Sequence, residues 1–110
     1  MTRIPLDEPF SPASSEVRAS VVLDEGKAKV RRIDLAAGAR IPPCPMQDDV
    51  VFVILSGRVT FQSDGAAETV EAPGAVFIPG RGVTRSMEAD IPSRVLAILC
   101  RPASVPEVVP

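Results

Sequence analysis

None of the 110 residues of this chain is a histidine, the side chain that most often binds metals and transfers protons near neutral pH. A histidine-ligated metal site and catalysis by imidazole are therefore excluded. Cys44 and Met46 lie on either side of Pro45, and their thiolate and thioether sulfurs suit a soft metal such as Cu(I). Two sulfurs alone are an incomplete ligand set, however, and a buried methionine more often fills apolar space in the core.

Other common catalytic groups are also absent. The chain has no tyrosine and no tryptophan, and a Ser-His-Asp set cannot be assembled without histidine. Its glycines do not form a phosphate-binding loop that opens a helix. A cysteine nucleophile would lack an imidazole base and would depend on a nearby cation such as an arginine.

Length and composition describe one globular domain, with 45% hydrophobic residues and a net charge of −2. The absence of a basic run argues against a nucleic-acid partner. No secretory signal is recognisable, and the longest apolar stretch, Val95 to Cys100, is far shorter than the ~20 residues that span a bilayer. We therefore expect no membrane contact and a cytoplasmic location, with Cys44 and Cys100 reduced and Cys100 in the core.

Prolines mark both ends of the chain and delimit an N-terminal arm (residues 1–14), a β domain (residues 15–101) and a C-terminal tail (residues 102–110). Within the domain, short runs that favour strands alternate with turn signals, and no long amphipathic helical pattern occurs. The predicted strands cover residues 18–23, 28–35, 50–55, 59–62, 68–72, 75–78, 83–88 and 95–101. Short strands at this spacing indicate an all-β sandwich or barrel.

Three local patterns make finer predictions. The spacing of Val30, Ile33 and Leu35 breaks strict alternation and predicts a bulge in that strand. The unbroken apolar run at residues 50–55 predicts a strand buried on both faces. The pair Asp64-Gly65 predicts a tight hairpin turn.

The glycine spacing between residues 38 and 57 resembles the first motif of the small single-domain cupins. That motif reads Gly, five residues, His-x-His, three or four residues, Glu, six residues, Gly. Here the same spacing runs from Gly38 through Cys44-Pro45-Met46 and Val50 to Gly57.

The family's second motif reads Gly, five residues, Pro-x-Gly, two residues, His, three residues, Asn. Gly74 and Gly82 stand at the right separation, and Arg85 then falls at the histidine position. The motif's proline position holds Gly80, and the proline lies one residue earlier, at Pro79. Aligning the motif on Pro79 would place Thr84 at the histidine position instead. We favour Arg85 because a glycine fixes the geometry of a turn, whereas a proline is merely compatible with it. The resemblance covers residues 28–100.

The resemblance implies a double-stranded β-helix, or jelly-roll barrel, that is often dimeric and has a pocket at its mouth. In ordinary members, two histidines, a glutamate and a third histidine hold Mn, Fe, Ni, Cu or Zn. Those four positions are Cys44, Met46, Val50 and Arg85 in this chain, so all the usual ligands are replaced. Val50 has no lone pair and Arg85 would repel a cation, so we expect no metal and no other cofactor.

The acidic pair Asp48-Asp49 does not restore the lost carboxylate. Because successive strand residues face opposite sides, Asp49 points away from the side that Val50 faces. We therefore interpret this pair as solvent-exposed residues at the start of the strand.

Arg85 suggests a different use of the pocket, since a guanidinium binds a carboxylate or phosphate through two hydrogen bonds. Phe52 and Ile54 share the inward parity of Val50 and would form apolar walls. With Cys44 and Met46 they complete the predicted ligand-binding set. The leading hypothesis is a metal-independent protein that binds or senses a small, anionic organic molecule.

Two alternatives stay open. One is a cupin enzyme of oxygenase or isomerase type, with a soft metal at Cys44 and Met46 or with a reactive thiol favoured by Arg85. The other is an accessory domain whose vestigial pocket is filled by side chains. We also expect a homodimer, because Val51, Val53 and Leu55 add more apolar surface than one small barrel interior can hold.

Overall fold

The computed structural model describes residues 1–80 and 83–100, with the backbone alone at residues 45, 46 and 83. Within these ranges the chain forms nine strands and no helix. The strands are β1 (Val17–Glu25), β2 (Ala28–Leu35), β3 (Arg40–Met46), β4 (Asp49–Ser56), β5 (Arg58–Ser63), β6 (Ala66–Glu71), β7 (Gly74–Ile78), β8 (Val83–Ala89) and β9 (Ser93–Cys100). No helix in the described part could span a membrane.

The strands form two antiparallel sheets. One has five strands in the order β1-β2-β9-β4-β7, and the other has four in the order β3-β8-β5-β6. Every pairing is antiparallel, and the chain crosses repeatedly from one sheet to the other. This arrangement confirms the predicted all-β jelly roll.

The core lies between the two sheets and is built by alternation. On β4, Val50, Phe52 and Ile54 are buried, whereas Val51 and Val53 are only partly buried and Leu55 is exposed. The prediction that this strand is buried on both faces was therefore wrong. Its second face is apolar but belongs to the outside of the five-stranded sheet.

The outer face of this sheet carries an apolar surface, which we call the outer apolar face. It is formed by neighbouring side chains of β9, β4 and β7, namely Leu96, Ile98, Val51, Val53, Leu55 and Phe77. In the register, Val51 stands between Ile98 and Phe77. Phe77 is 57% exposed.

Strand β3 was not among the predicted strands, because its sequence contains Pro42, Pro43 and Pro45. Proline lacks the N–H that a ladder needs and is tolerated mainly at a sheet edge or a bulge. Both conditions hold here. β3 is the edge strand of its sheet, and its register against β8 shifts between Ile41 and Cys44.

The predicted bulge lies on the neighbouring strand. The register of β1 against β2 shifts between Val21 and Leu23, whereas β2 pairs with β9 without interruption. β1 has a single partner and can absorb the extra residue, but β2 must keep its register with strands on both sides. The prediction of a bulge within residues 28–35 was therefore wrong by one strand.

The hairpin prediction at Asp64-Gly65 is confirmed. Ser63 pairs with Ala66, and the two residues between them have positive φ angles of 50° and 82°. These angles are typical of a two-residue turn of the type that matches strand twist.

Residues 1–14 contain no strand, and three residues of this arm contact the five-stranded sheet. Glu8 forms an ion pair with Arg32, and the carbonyl of Leu6 accepts a hydrogen bond of 3.1 Å from Arg94. The hydroxyl of Thr2 donates to Glu25. Arg101, at the end of the last predicted strand, and the C-terminal tail (residues 102–110) lie outside the described residues.

Candidate functional site

A cavity of about 180 Å³ lies between the sheets, near the start of β4 and the end of β7. Both sheets line it: Val50, Phe52 and Ala97 come from one, and Phe61 and Met87 from the other. The rings of Phe52 and Phe61 are 5.0 Å apart at a tilt of 34°. The walls are thus mainly apolar, as in most small-molecule sites.

Arg85 projects from β8 into this cavity and is only 7% exposed. It donates hydrogen bonds to the carbonyl of Ile78 (3.3 Å) and to the carbonyl of Asp48 (2.9 Å). Burial lowers the pKa of Arg85, because it disfavours the charged form, and the nearby Asp48, Cys44 and Asp49 oppose that effect. The two bonds use two of the five N–H groups of the guanidinium.

The two segments that hold Arg85 are fastened to each other. The amide of Gly80 donates a hydrogen bond of 2.7 Å to the carboxylate of Asp49. A Cβ atom at Gly80 would lie 1.9 Å from the carbonyl oxygen of Gln47, so only glycine permits this close approach. The exposed carboxylate of Asp49 therefore has a structural role at the cavity mouth.

The structure places the other predicted site residues as follows. Cys44 stands opposite Arg85 in the register and lines the cavity while remaining exposed to solvent. Phe52 lines the cavity. Met46 pairs with Val83 through the backbone, but its side chain lies outside the described part of the structure. Thr84 is exposed, in contrast to Arg85.

Ile54 is fully buried and does not line the cavity. It pairs with Val95 and Gly74, two positions further along β4 than Phe52. Ile54 therefore supports the core beneath the cavity.

Cys100 is exposed, and the expectation of a core position was wrong. Strand β9 alternates, so that Val95, Ala97 and Leu99 face inward and the final residue faces outward. The apolar run that suggested burial includes residues of both faces. Neither cysteine forms a disulfide.

Arg31 is a second charged residue of the cavity lining, and no sequence motif pointed to it. It lies on β2, opposite Ala97 of β9. Its parity was a usable signal, because Ile33 and Leu35 alternate inward on the same strand and Arg31 continues that series.

The residues at the four positions that usually bind metal do not fit a metal ion. Val50 supplies no donor atom, and Arg85, opposite Cys44 in the register, brings a guanidinium held by two carbonyls. In residues 1–80 and 83–100, no group of three or more Cys, Asp or Glu side chains is placed to hold a metal. The cavity instead combines apolar walls with cationic groups.

The strand order and the cavity between the sheets define a small jelly-roll domain. No protein-family model and no curated protein matches the sequence. Solved structures do match. An RmlC-like cupin from Desulfovibrio desulfuricans has a TM-score of 0.79 and 18% identity, covering 91% of this chain and 96% of that one. A cupin superfamily protein from Desulfitobacterium hafniense has a TM-score of 0.78 and 13% identity, covering 92% and 100%.

A third similar structure, a predicted oxalate decarboxylase from Thermotoga maritima, has a TM-score of 0.71 and 20% identity, covering 78% of this chain and 81% of that one. Identities this low establish the fold and leave function open. The chain is a small domain with the cupin fold, as its glycine spacing predicted.

Proposed function

We propose that this protein is a cytoplasmic, metal-independent binding or sensing protein for a small, anionic organic molecule, which occupies the cavity between the sheets. The observation that carries the proposal is Arg85, a guanidinium buried in an apolar cavity. No aspartate or glutamate is among the described lining residues. Burying a charge is costly unless it is paired, and an anionic ligand would supply the missing charge.

The size of the cavity limits the ligand. Cavities of roughly 150 Å³ hold benzene, so about 180 Å³ admits a compact molecule of similar or slightly larger size. Phe52 and Phe61 offer aromatic surface to its apolar part. Open space of this size argues against the alternative of a vestigial pocket filled by side chains.

Binding is tested by thermal unfolding of protein treated with a chelator, at constant ionic strength, with hexanoate, benzoate and phenylacetate as probes. Each acid is compared with its neutral amide. A ligand at 100 times its Kd stabilises by ~2.7 kcal/mol, which corresponds to a rise in Tm of about 10 °C for a domain of this size. We expect at least one acid to produce this rise and its amide to produce none.

The variant Arg85→Met removes the charge and keeps an unbranched side chain. Loss of a charge-assisted hydrogen bond should weaken acid binding by about 10-fold or more. Arg40→Met is the matched control, since Arg40 is exposed and does not line the cavity. Equal binding of acid and amide, unchanged binding by Arg85→Met, or binding that requires added metal would each refute the proposal.

A thiol-dependent enzyme is the second candidate, because Cys44 stands directly opposite Arg85 and lines the same cavity. Mass spectrometry of a bound probe after incubation separates the two functions. Recovery of the unchanged probe supports binding alone, whereas a new product that requires Cys44 supports the enzyme.

A further inference from the structure

Arg31 brings a second positive charge to the cavity, from the sheet opposite to that of Arg85. It lies on β2 of the five-stranded sheet, whereas Arg85 lies on β8 of the four-stranded sheet. Both line the cavity. Arg31 is partly buried, one inward position from the buried Ile33.

The neighbouring charges on the outer side of this sheet are paired. Arg94 donates two hydrogen bonds to the carboxylate of Asp34, at 2.7 and 2.9 Å, and Arg32 forms an ion pair with Glu8. The Arg31 guanidinium, by contrast, makes no ion pair and no hydrogen bond with the part of the chain that the structure describes. Partly buried charges are ordinarily paired, so this one is suited to a charge brought by a ligand.

The described lining of the cavity therefore includes two cationic residues and no acidic one, while Asp48 and Asp49 lie near Arg85 but outside this lining. An anion placed between two guanidinium groups that line one apolar space is attracted by both. The remaining lining is mostly apolar, with Val50, Phe52 and Leu99 among its side chains. This surface fits an apolar ligand body rather than a polar one.

We propose that Arg31 and Arg85 together bind one small organic dianion of the dicarboxylate class, in which a short apolar body joins two carboxylates. Each guanidinium binds one carboxylate, and Arg31 determines the preference for a diacid over a monoacid. This inference rests on the proposed function, since it names the chemical class of the ligand for the same cavity.

The experiment compares linear α,ω-dicarboxylates of four to eight carbons with monocarboxylates of the same carbon number. Affinities are measured by isothermal titration calorimetry at constant ionic strength. A second charge-assisted contact should make the best diacid bind about 10- to 100-fold more tightly than its monoacid. One chain length should be favoured, because the two arginines lie on a fixed scaffold.

In Arg31→Met we expect the diacid to lose this advantage and bind like the monoacid, while monoacid affinity changes less than about threefold. Arg31→Lys keeps the charge but loses the forked donor geometry, and should keep part of the preference. Arg40→Met removes one charge from the outside of the domain and should leave the preference unchanged. The unfolding temperature of each variant, measured without ligand, reports whether it is folded.

The outcomes separate the two proposals. If monoacids bind through Arg85 but diacids bind no more tightly, or if Arg31→Met keeps the full preference for diacids, the role of Arg31 is refuted and the proposed function stands. If neither acid series binds to the wild-type protein, both proposals are refuted.

Discussion

The open cavity predicts that a larger side chain at Ala97 will stabilise the protein and block the proposed ligand site. Ala97 is 3% exposed and lies on the cavity wall, between Arg31 on β2 and Phe52 on β4. Ala97→Leu adds three carbons, and each buried carbon contributes about 0.8 kcal/mol. After about 1 kcal/mol for lost side-chain entropy, the net gain is about 1.5 kcal/mol, or a rise in Tm of roughly 6 °C.

The matched control is Ala89→Leu. Ala89 is also 3% exposed, but it belongs to the close-packed core and does not line the cavity. The same three carbons should overpack that position and destabilise the fold by about 1 to 3 kcal/mol. The two variants are thus chemically identical changes with opposite expected signs.

Urea unfolding followed by circular dichroism measures both free energies, and calorimetry with the best carboxylate probe measures binding. Ala97→Leu should raise the urea midpoint and weaken binding by at least about tenfold, because the added side chain occupies the ligand's space. If Ala97→Leu destabilises the protein as much as Ala89→Leu does, the space between the sheets is not available. If it stabilises the protein but leaves binding intact, the ligand binds elsewhere.

Two further predictions concern other parts of the domain. We propose that the outer apolar face is the contact between two copies of the chain. Phe77→Arg should then convert a dimer into a monomer in sedimentation velocity, whereas Ile91→Arg, at an exposed corner, should leave the dimer intact. A wild-type monomer would contradict this proposal. A hydrogen bond of 2.7 Å from Arg58 lowers the pKa of Asp90. The pair therefore stabilises the folded protein at any pH above the ordinary aspartate pKa, and this stabilisation is lost as the pH falls through the lowered pKa. Arg58→Met should raise this pKa in a carboxyl NMR titration, whereas Arg18→Met should leave it in place.

The sequence was sufficient for the parts of the fold that depend on local pattern. Alternation located most strands, and the Asp64-Gly65 pair located a hairpin, because a two-residue turn requires residues that tolerate positive φ. Strand β3 could not be found in this way. Its three prolines are compatible with pairing only because β3 has a single neighbour, and edge position is a property of the whole sheet.

The candidate site was likewise only partly predictable from the sequence. Motif spacing led to Arg85 and Cys44, which the fold brings opposite each other on β8 and β3. It could not lead to Arg31, because this residue lies in another sheet and matches no motif. Parity along β2 would have placed it inside, but only the pairing of β2 with β9 shows that it stands beside Ala97 at the cavity wall.

Arg85 has two roles that can be separated, and this bears on why a charged residue is kept inside the barrel. Its bonds to the carbonyls of Asp48 and Ile78 join the start of β4 to the end of β7, a purely structural task. A buried charge, however, is an inefficient way to join two segments, because its desolvation offsets much of what the bonds contribute. This desolvation cost is explained if the remaining N–H donors of Arg85 bind an anionic ligand. Arg31, on the opposite sheet, would be stabilised by the same anion. The structural role of Arg85 therefore fixes its position, and the proposed anionic ligand would account for its charge.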